Sequence, residues 1–137
     1  MEHPIFTSNF WSKAPNKYAV SRSVPAQYSH IGRIPGLDPS FKLLQDYRTR
    51  KIDEQRYTEL YLEQLANKYS SPKELAQILQ ALTLLMEGPI TLCCWEPPGK
   101  FCHRHLIANY LKPHLELTEW SPSMLSQLKL PIEGLRP

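Results

Sequence analysis

Ile90–Trp95, ITLCCW, is an apolar run with no alternation. A strand with one wet face alternates apolar and polar residues. A strand buried on both faces does not, and such strands are typical of parallel sheets. Pro97-Pro98-Gly99 then forces a loop. From Cys102 or His103 the chain regains helical spacing, with Leu106, Ile107, Tyr110 and Leu111 apolar and Pro113 ending the segment. This strand–loop–helix order predicts that Ile90–Trp95 is a central strand and that Leu92 is almost fully buried.

Working outward, Ile5–Phe10 (IFTSNF) and Lys17–Val24 (KYAVSRSV) read as strands, the second through Tyr18, Val20 and Val24. Pro25–Pro39 carries three prolines and two glycines and reads as one long loop. Ser40–Thr49 has Phe41, Leu44 and Tyr47 on one helical side. Asp53 caps a helix to about Lys68 with a stripe of Tyr57, Leu60, Tyr61 and Leu65. Ser71-Pro72-Lys73-Glu74 is a helix start of N-cap, first-turn proline and third-position glutamate, and Gly88-Pro89 stops that helix. Leu115–Trp120 (LELTEW) alternates and is expected as an outer strand. The order predicts an α/β fold: a single small domain over Met1–Pro137, with a mostly parallel sheet flanked by helices. The tail from Ser121, with Leu125, Leu128 and Leu130, is expected to pack on it.

Composition narrows the function classes. A chain of 137 residues suits one domain, and 42% apolar residues can fill a core. Net charge is 16 − 13 = +3, with Arg48, Arg50 and Lys51 the one dense basic run. That permits an anionic ligand but lacks the basic stripe that marks nucleic-acid binders. No apolar run approaches the length of a membrane span, and the N-terminus shows no signal peptide. Three cysteines, all between Cys93 and Cys102, do not make a disulfide framework, so reduced thiols and a cytoplasmic setting are expected. No GxGxxG or GxxxxGK[ST] occurs, which removes the main nucleotide motifs and leaves any cofactor unknown.

Cys94, Glu96, Cys102, His103, Arg104 and His105 crowd this strand-to-helix junction. A helix start presents unpaired N–H groups and partial positive charge, which favour anions. Arg104 in that turn adds a planar fork for phosphate or carboxylate, and is expected to face Glu96. The helix start also favours a Cys102 thiolate. Each residue has a plainer reading. Cys93 and Cys94 point to opposite strand faces, so one is a small core residue. Glu96 serves equally as a salt-bridge partner for Arg104, Cys102 as a mere N-cap, and His105 as a structural group. Cys94, Cys102 and His103 offer three zinc ligands, but without CxxC or HxxxH spacing no metal site is expected.

ITLCCWEPPGKFCHRHLIANYL, with its strand ending Cys-x-Glu and helix starting Cys-His-Arg, resembles the Domain of Unknown Function 488 family. IFTSNF, YAVSRSVP and LDPSFKLLQDYRTRKIDEQRYTELYLEQL agree with it, so the likeness covers about Ile5–Leu111. Carried onto this chain, the family pattern marks Ser8, Arg22, Pro25, Tyr61, Cys94, Glu96, Cys102, His103 and Arg104. Cys93 and Trp95 stand where relatives often have an aliphatic residue and a tyrosine. The resemblance implies an α/β fold and little about function.

Two functions follow, with a small metal domain at the Cys/His cluster as a third, weaker reading. In the first, the chain is an enzyme or enzyme-like protein that binds a phosphorylated small molecule, a nucleotide or nucleic-acid component. Arg104, Arg22 and Ser8 hold the anion, Glu96 is acid or base, Cys102 or His103 is nucleophile or proton carrier, and Cys94 and Tyr61 support them. In the second, the Cys/Glu/His/Arg group is a structural network in a non-catalytic interaction module.

Overall fold

The computed structural model describes residues 3–96 and 100–124. Five strands form one sheet: β1 (Ile5–Asn9), β2 (Lys17–Ala19), β3 (Gly32–Arg33), β4 (Ile90–Cys94) and β5 (Leu117–Glu119). Their order across the sheet is β3-β2-β4-β1-β5, and every pairing is parallel. β4 is the central strand, with Thr7 and Tyr18 flanking Leu92 in register. All five β4 residues are buried and Leu92 is fully so, as its unbroken apolar run predicts.

Three of the four described helices start behind a side-chain cap. In α1 (Phe41–Arg48) Ser40 Oγ accepts from Leu43 N at 3.1 Å, and in α2 (Glu54–Lys68) Asp53 accepts from Arg56 N at 2.8 Å. In α3 (Pro72–Met86) Ser71 accepts from Glu74 N at 3.2 Å, while the Glu74 carboxylate turns back to Ser70 N at 2.7 Å. α3 ends at Glu87, whose left-handed φ of 55° precedes Gly88. α4 (His103–Leu111) begins behind Cys102.

Strand alternation separates two sides of the sheet. Ile90, Leu92 and Cys94 join the main core with Leu43 of α1, Tyr61 of α2, Leu79 of α3 and Ile107 of α4. Cys93 points the other way, into a small cluster with Phe10 and Ala19. The helices therefore share one face. The opposite face is covered by chain outside the helices, including the Phe6, Ala14 and Trp120 group.

Two expectations change. Pro25–Pro39 is not one loop, because it holds a 3₁₀ turn at Ala26–Tyr28 and the edge strand β3. Lys17–Val24 is a strand only to Ala19. The Pro97–Gly99 loop and the tail leucines Leu125, Leu128 and Leu130 lie outside the described residues. No helix among the described residues is long and apolar enough to cross a membrane.

Candidate functional site

The C-terminal ends of β2 and β4 meet the N-terminus of α4. Chain leaving β2 supplies Ser21, Arg22 and Ser23, chain leaving β4 supplies Trp95 and Glu96, and α4 supplies Cys102 and His103. Leu44, Tyr47 and Arg48 of α1 form the facing wall. A cavity of about 140 Å³ touches Tyr47, Arg48, Tyr57, Glu96, Cys102 and His103. A second, of about 50 Å³, shares Arg48, Glu96 and His103 with it and adds Arg22 and Trp95. Larger grooves lie elsewhere, but these two hold the titratable groups of the strand–helix junction.

His103 is buried, and its Nε2 donates to the main-chain carbonyl of Val20. That bond places the proton on Nε2 and leaves Nδ1 with a lone pair, 3.8 Å from Cys102 Sγ. Burial pushes the imidazole pKa down to about 4, and the Arg104 charge adds to the fall, so the ring is neutral near pH 7. Tyr61 stands edge-on to the ring at 5.6 Å and anchors its own hydroxyl on the Leu37 carbonyl. Cys102 makes no side-chain cap at the start of α4, so among the described residues no N-cap side chain claims its N–H groups.

The thiol expectation is corrected here. Cys94 and Cys102 are joined by a disulfide, and Cys93 alone is free. Eight positions separate the bonded pair, but the start of α4 returns to the end of β4 and brings the sulfurs together. Cys94, Cys102 and His103 form one group, with all three ligand atoms within 4.8 Å of one another.

Arg104 is 0% exposed. Its Nη2 and Nε donate to the two carboxylate oxygens of Glu119 at 2.8 and 3.2 Å, the bidentate fork that guanidinium geometry favours. Nη1 donates to Cys94 Sγ at 3.0 Å and to the Glu96 carbonyl at 2.8 Å. Glu119 also accepts from buried Thr7 Oγ1 at 2.6 Å. The expected Arg104–Glu96 carboxylate pair is thus replaced: Glu96 gives its main chain, and the charge partner is Glu119 on β5. Arg104 ties α4 to β5 and lines neither cavity.

Of the sequence-marked residues, the structure brings Arg22, Glu96, Cys102 and His103 to the cleft. Arg22 is also 3.9 Å from Asp38. Cys94 and Tyr61 sit directly behind. Ser8 is buried and donates to Ser12 Oγ at 2.6 Å, away from the cavities. His105 has a buried Nε2 with no partner among the described residues. Sequence reading missed Glu119, Arg48 and the Val20 carbonyl. Arg48 alone left a signal, as part of the one basic run.

No curated protein and no solved structure matches the chain. A family model does, over residues 12–115: DUF488-N3a, described as the active DUF488-N3 subclade. The match spans most of the domain, including the Cys-x-Glu strand end and the Cys-His-Arg helix start. The chain belongs to the Domain of Unknown Function 488 family, within that subclade.

Proposed function

We propose that this protein is an enzyme acting on a phosphorylated small molecule, a nucleotide or nucleic-acid component, bound in the cleft between α1, α4 and the ends of β2 and β4. One observation carries the reading: two cationic side chains, a carboxylate, a sulfur and a neutral imidazole line adjoining cavities beside an uncapped helix start. Arg22 and Arg48, with the α4 N-terminus, hold the anion. Arg104 does not, because its guanidinium is committed to Glu119. Glu96 is the acid–base group, and, once the Cys94–Cys102 disulfide is reduced, the Cys102–His103 pair is the reactive centre against which the substrate rests.

Trp95 and Trp11 favour a nucleotide over a phosphosugar. They are 40% and 47% exposed, with ring centroids 5.7 Å apart, and Trp95 lines the smaller cavity. Exposed rings at a phosphate site suit a base, whose stacking is worth about 1–3 kcal/mol. A cytoplasmic setting goes with this reading, because it would hold Cys94 and Cys102 reduced rather than disulfide-bonded.

The fully bonded Arg104 network favours the second reading, a structural core in an interaction module. Against it, Glu96, Cys102 and His103 all line a cavity of about 140 Å³. Calorimetric titration of nucleoside monophosphates, inorganic phosphate and phosphosugars decides. The enzyme reading expects a nucleotide to bind and Arg48→Ala to weaken it about tenfold or more, with unfolding unchanged. Binding of none of these ligands, or full affinity in both Arg48→Ala and Arg22→Ala, refutes it.

A further inference from the structure

We infer that Cys94, Cys102 and His103 form a zinc-class metal site in the reduced protein, with its open position turned toward the cleft. The donor set is two sulfurs and one imidazole nitrogen, all buried and all within 4.8 Å of one another. Thiolate and imidazole together suit zinc.

Three further observations support the site. The first is span. The Cα atoms of Cys94 and Cys102 are 7.5 Å apart. Ordinary disulfides hold them at about 4.4–6.8 Å, and beyond about 7 Å the backbone must move to bridge them. In the reduced protein an ion shared by the two sulfurs accommodates this wide Cα separation.

The second is the imidazole. His103 Nε2–H is taken by the Val20 carbonyl, so Nδ1 presents its lone pair to the two sulfurs. A ligating histidine whose other nitrogen donates to a main-chain carbonyl is the usual outer-shell arrangement. The 3.8 Å from Nδ1 to Cys102 Sγ is close to the ligand–ligand edge of a tetrahedral site, about 3.6 Å from ordinary zinc–nitrogen and zinc–sulfur bonds.

The third is charge. Arg104 donates to Cys94 Sγ at 3.0 Å, which fixes that sulfur and favours thiolate. Its own charge is already matched by Glu119, and a divalent ion matches two thiolates, so the group carries no net charge. Three protein ligands with the fourth place open are the pattern of catalytic rather than structural zinc. Cys102 and His103 line the 140 Å³ cavity, so the open place faces it. In this form the reactive centre of the proposed enzyme is the ion, and only that clause rests on the enzyme reading.

Loading balances simply. A phosphine takes the disulfide to two thiols, a water supplying the oxygen of the phosphine oxide and both protons. Zinc(II) then displaces the two thiol protons into solvent. The experiment uses the full chain, reduced anaerobically with a phosphine, incubated with zinc chloride and desalted. Zinc is counted by mass spectrometry and thiols in denaturant. One zinc per chain is expected, and cobalt(II) should give an intense near-ultraviolet thiolate band. Cys94→Ser, Cys102→Ser and His103→Gln should each retain less than about a tenth as much, while Cys93→Ala keeps a full equivalent. A chain with three titratable thiols that retains no zinc and gives no cobalt band overturns the site, as does full retention in Cys102→Ser. No phosphate or nucleotide is present, so failure here leaves the anion-binding reading standing, and the titrations above fail independently of it.

Discussion

Arg104 and Glu119 form an ion pair with unequal ends, and the inequality predicts unequal mutational costs. Glu119→Ala strands a guanidinium that is 0% exposed and that cannot lose its proton. It also removes the acceptor of the buried Thr7 hydroxyl. Breaking a buried pair in this sense costs about 3–5 kcal/mol, and the stranded hydroxyl places this case toward the upper end. Arg104→Met is milder. Methionine fills most of the volume, and Glu119, whose side chain is 28% exposed, can hydrate while still accepting from Thr7. The Glu96 carbonyl that loses its donor belongs to an exposed residue. About 1–2 kcal/mol is expected, the range of a lost charge-assisted hydrogen bond with partial compensation. Urea unfolding followed by tryptophan fluorescence, extrapolated to water, measures both. The double variant should cost less than the sum, because methionine removes the charge that Glu119→Ala strands. If Glu119→Ala proves cheaper than Arg104→Met, Arg104 is not held by that carboxylate and the account of α4 docking on β5 is wrong.

Three further outcomes test other parts of the fold. Ser71→Ala removes the α3 cap to Glu74 N and should cost about 1 kcal/mol in the same assay, with the slope unchanged. Leu92→Ala opens a cavity in the central strand and should cost about 2–5 kcal/mol; a value under 1 would mean that β4 is not the middle of the sheet. Burial, then the nearby Glu96 carboxylate, raises the Tyr57 phenol well above its ordinary 10.0. The unfolded chain therefore releases this proton first, so its contribution is full below pH 10 and is lost as pH climbs above it. Tyr57→Phe should flatten the alkaline fall of stability, and an unchanged pH slope would contradict the burial.

The legible parts of the fold are those written in local pattern. β4 announced itself through an unbroken apolar run, and α3 through Ser71-Pro72 and Glu74, because strand burial and helix capping are set by neighbours in sequence. β3 left no trace: it is two exposed residues, Gly32 and Arg33, in register with Tyr18 and Ala19, with no apolar pattern to mark it. The site divides the same way. Glu96, Cys102 and His103 were readable as reactive types at a strand-to-helix junction. The partner of Arg104 was not, because Glu119 reaches it only when β5 adds beside β1 and sets Glu119 opposite Thr7. The Cys94–Cys102 link likewise depends on α4 turning back onto the strand it follows.

The hydrogen bond from His103 to Val20 is made to main chain, and this has a consequence for robustness. No exchange of side chain at position 20 can delete the acceptor, so the orientation of the imidazole is shielded from most single mutations there. What it does depend on is alignment. Val20 N donates to the Cys93 carbonyl at 3.0 Å, so the same residue is pinned to the strand that ends in Cys94. A slip of β2 along β4 would carry the carbonyl away from the ring and release the proton from Nε2. The state of the imidazole therefore reports the registry of the sheet, and nitrogen-15 shifts of that one ring would sense β2 sliding along β4 before the core opened.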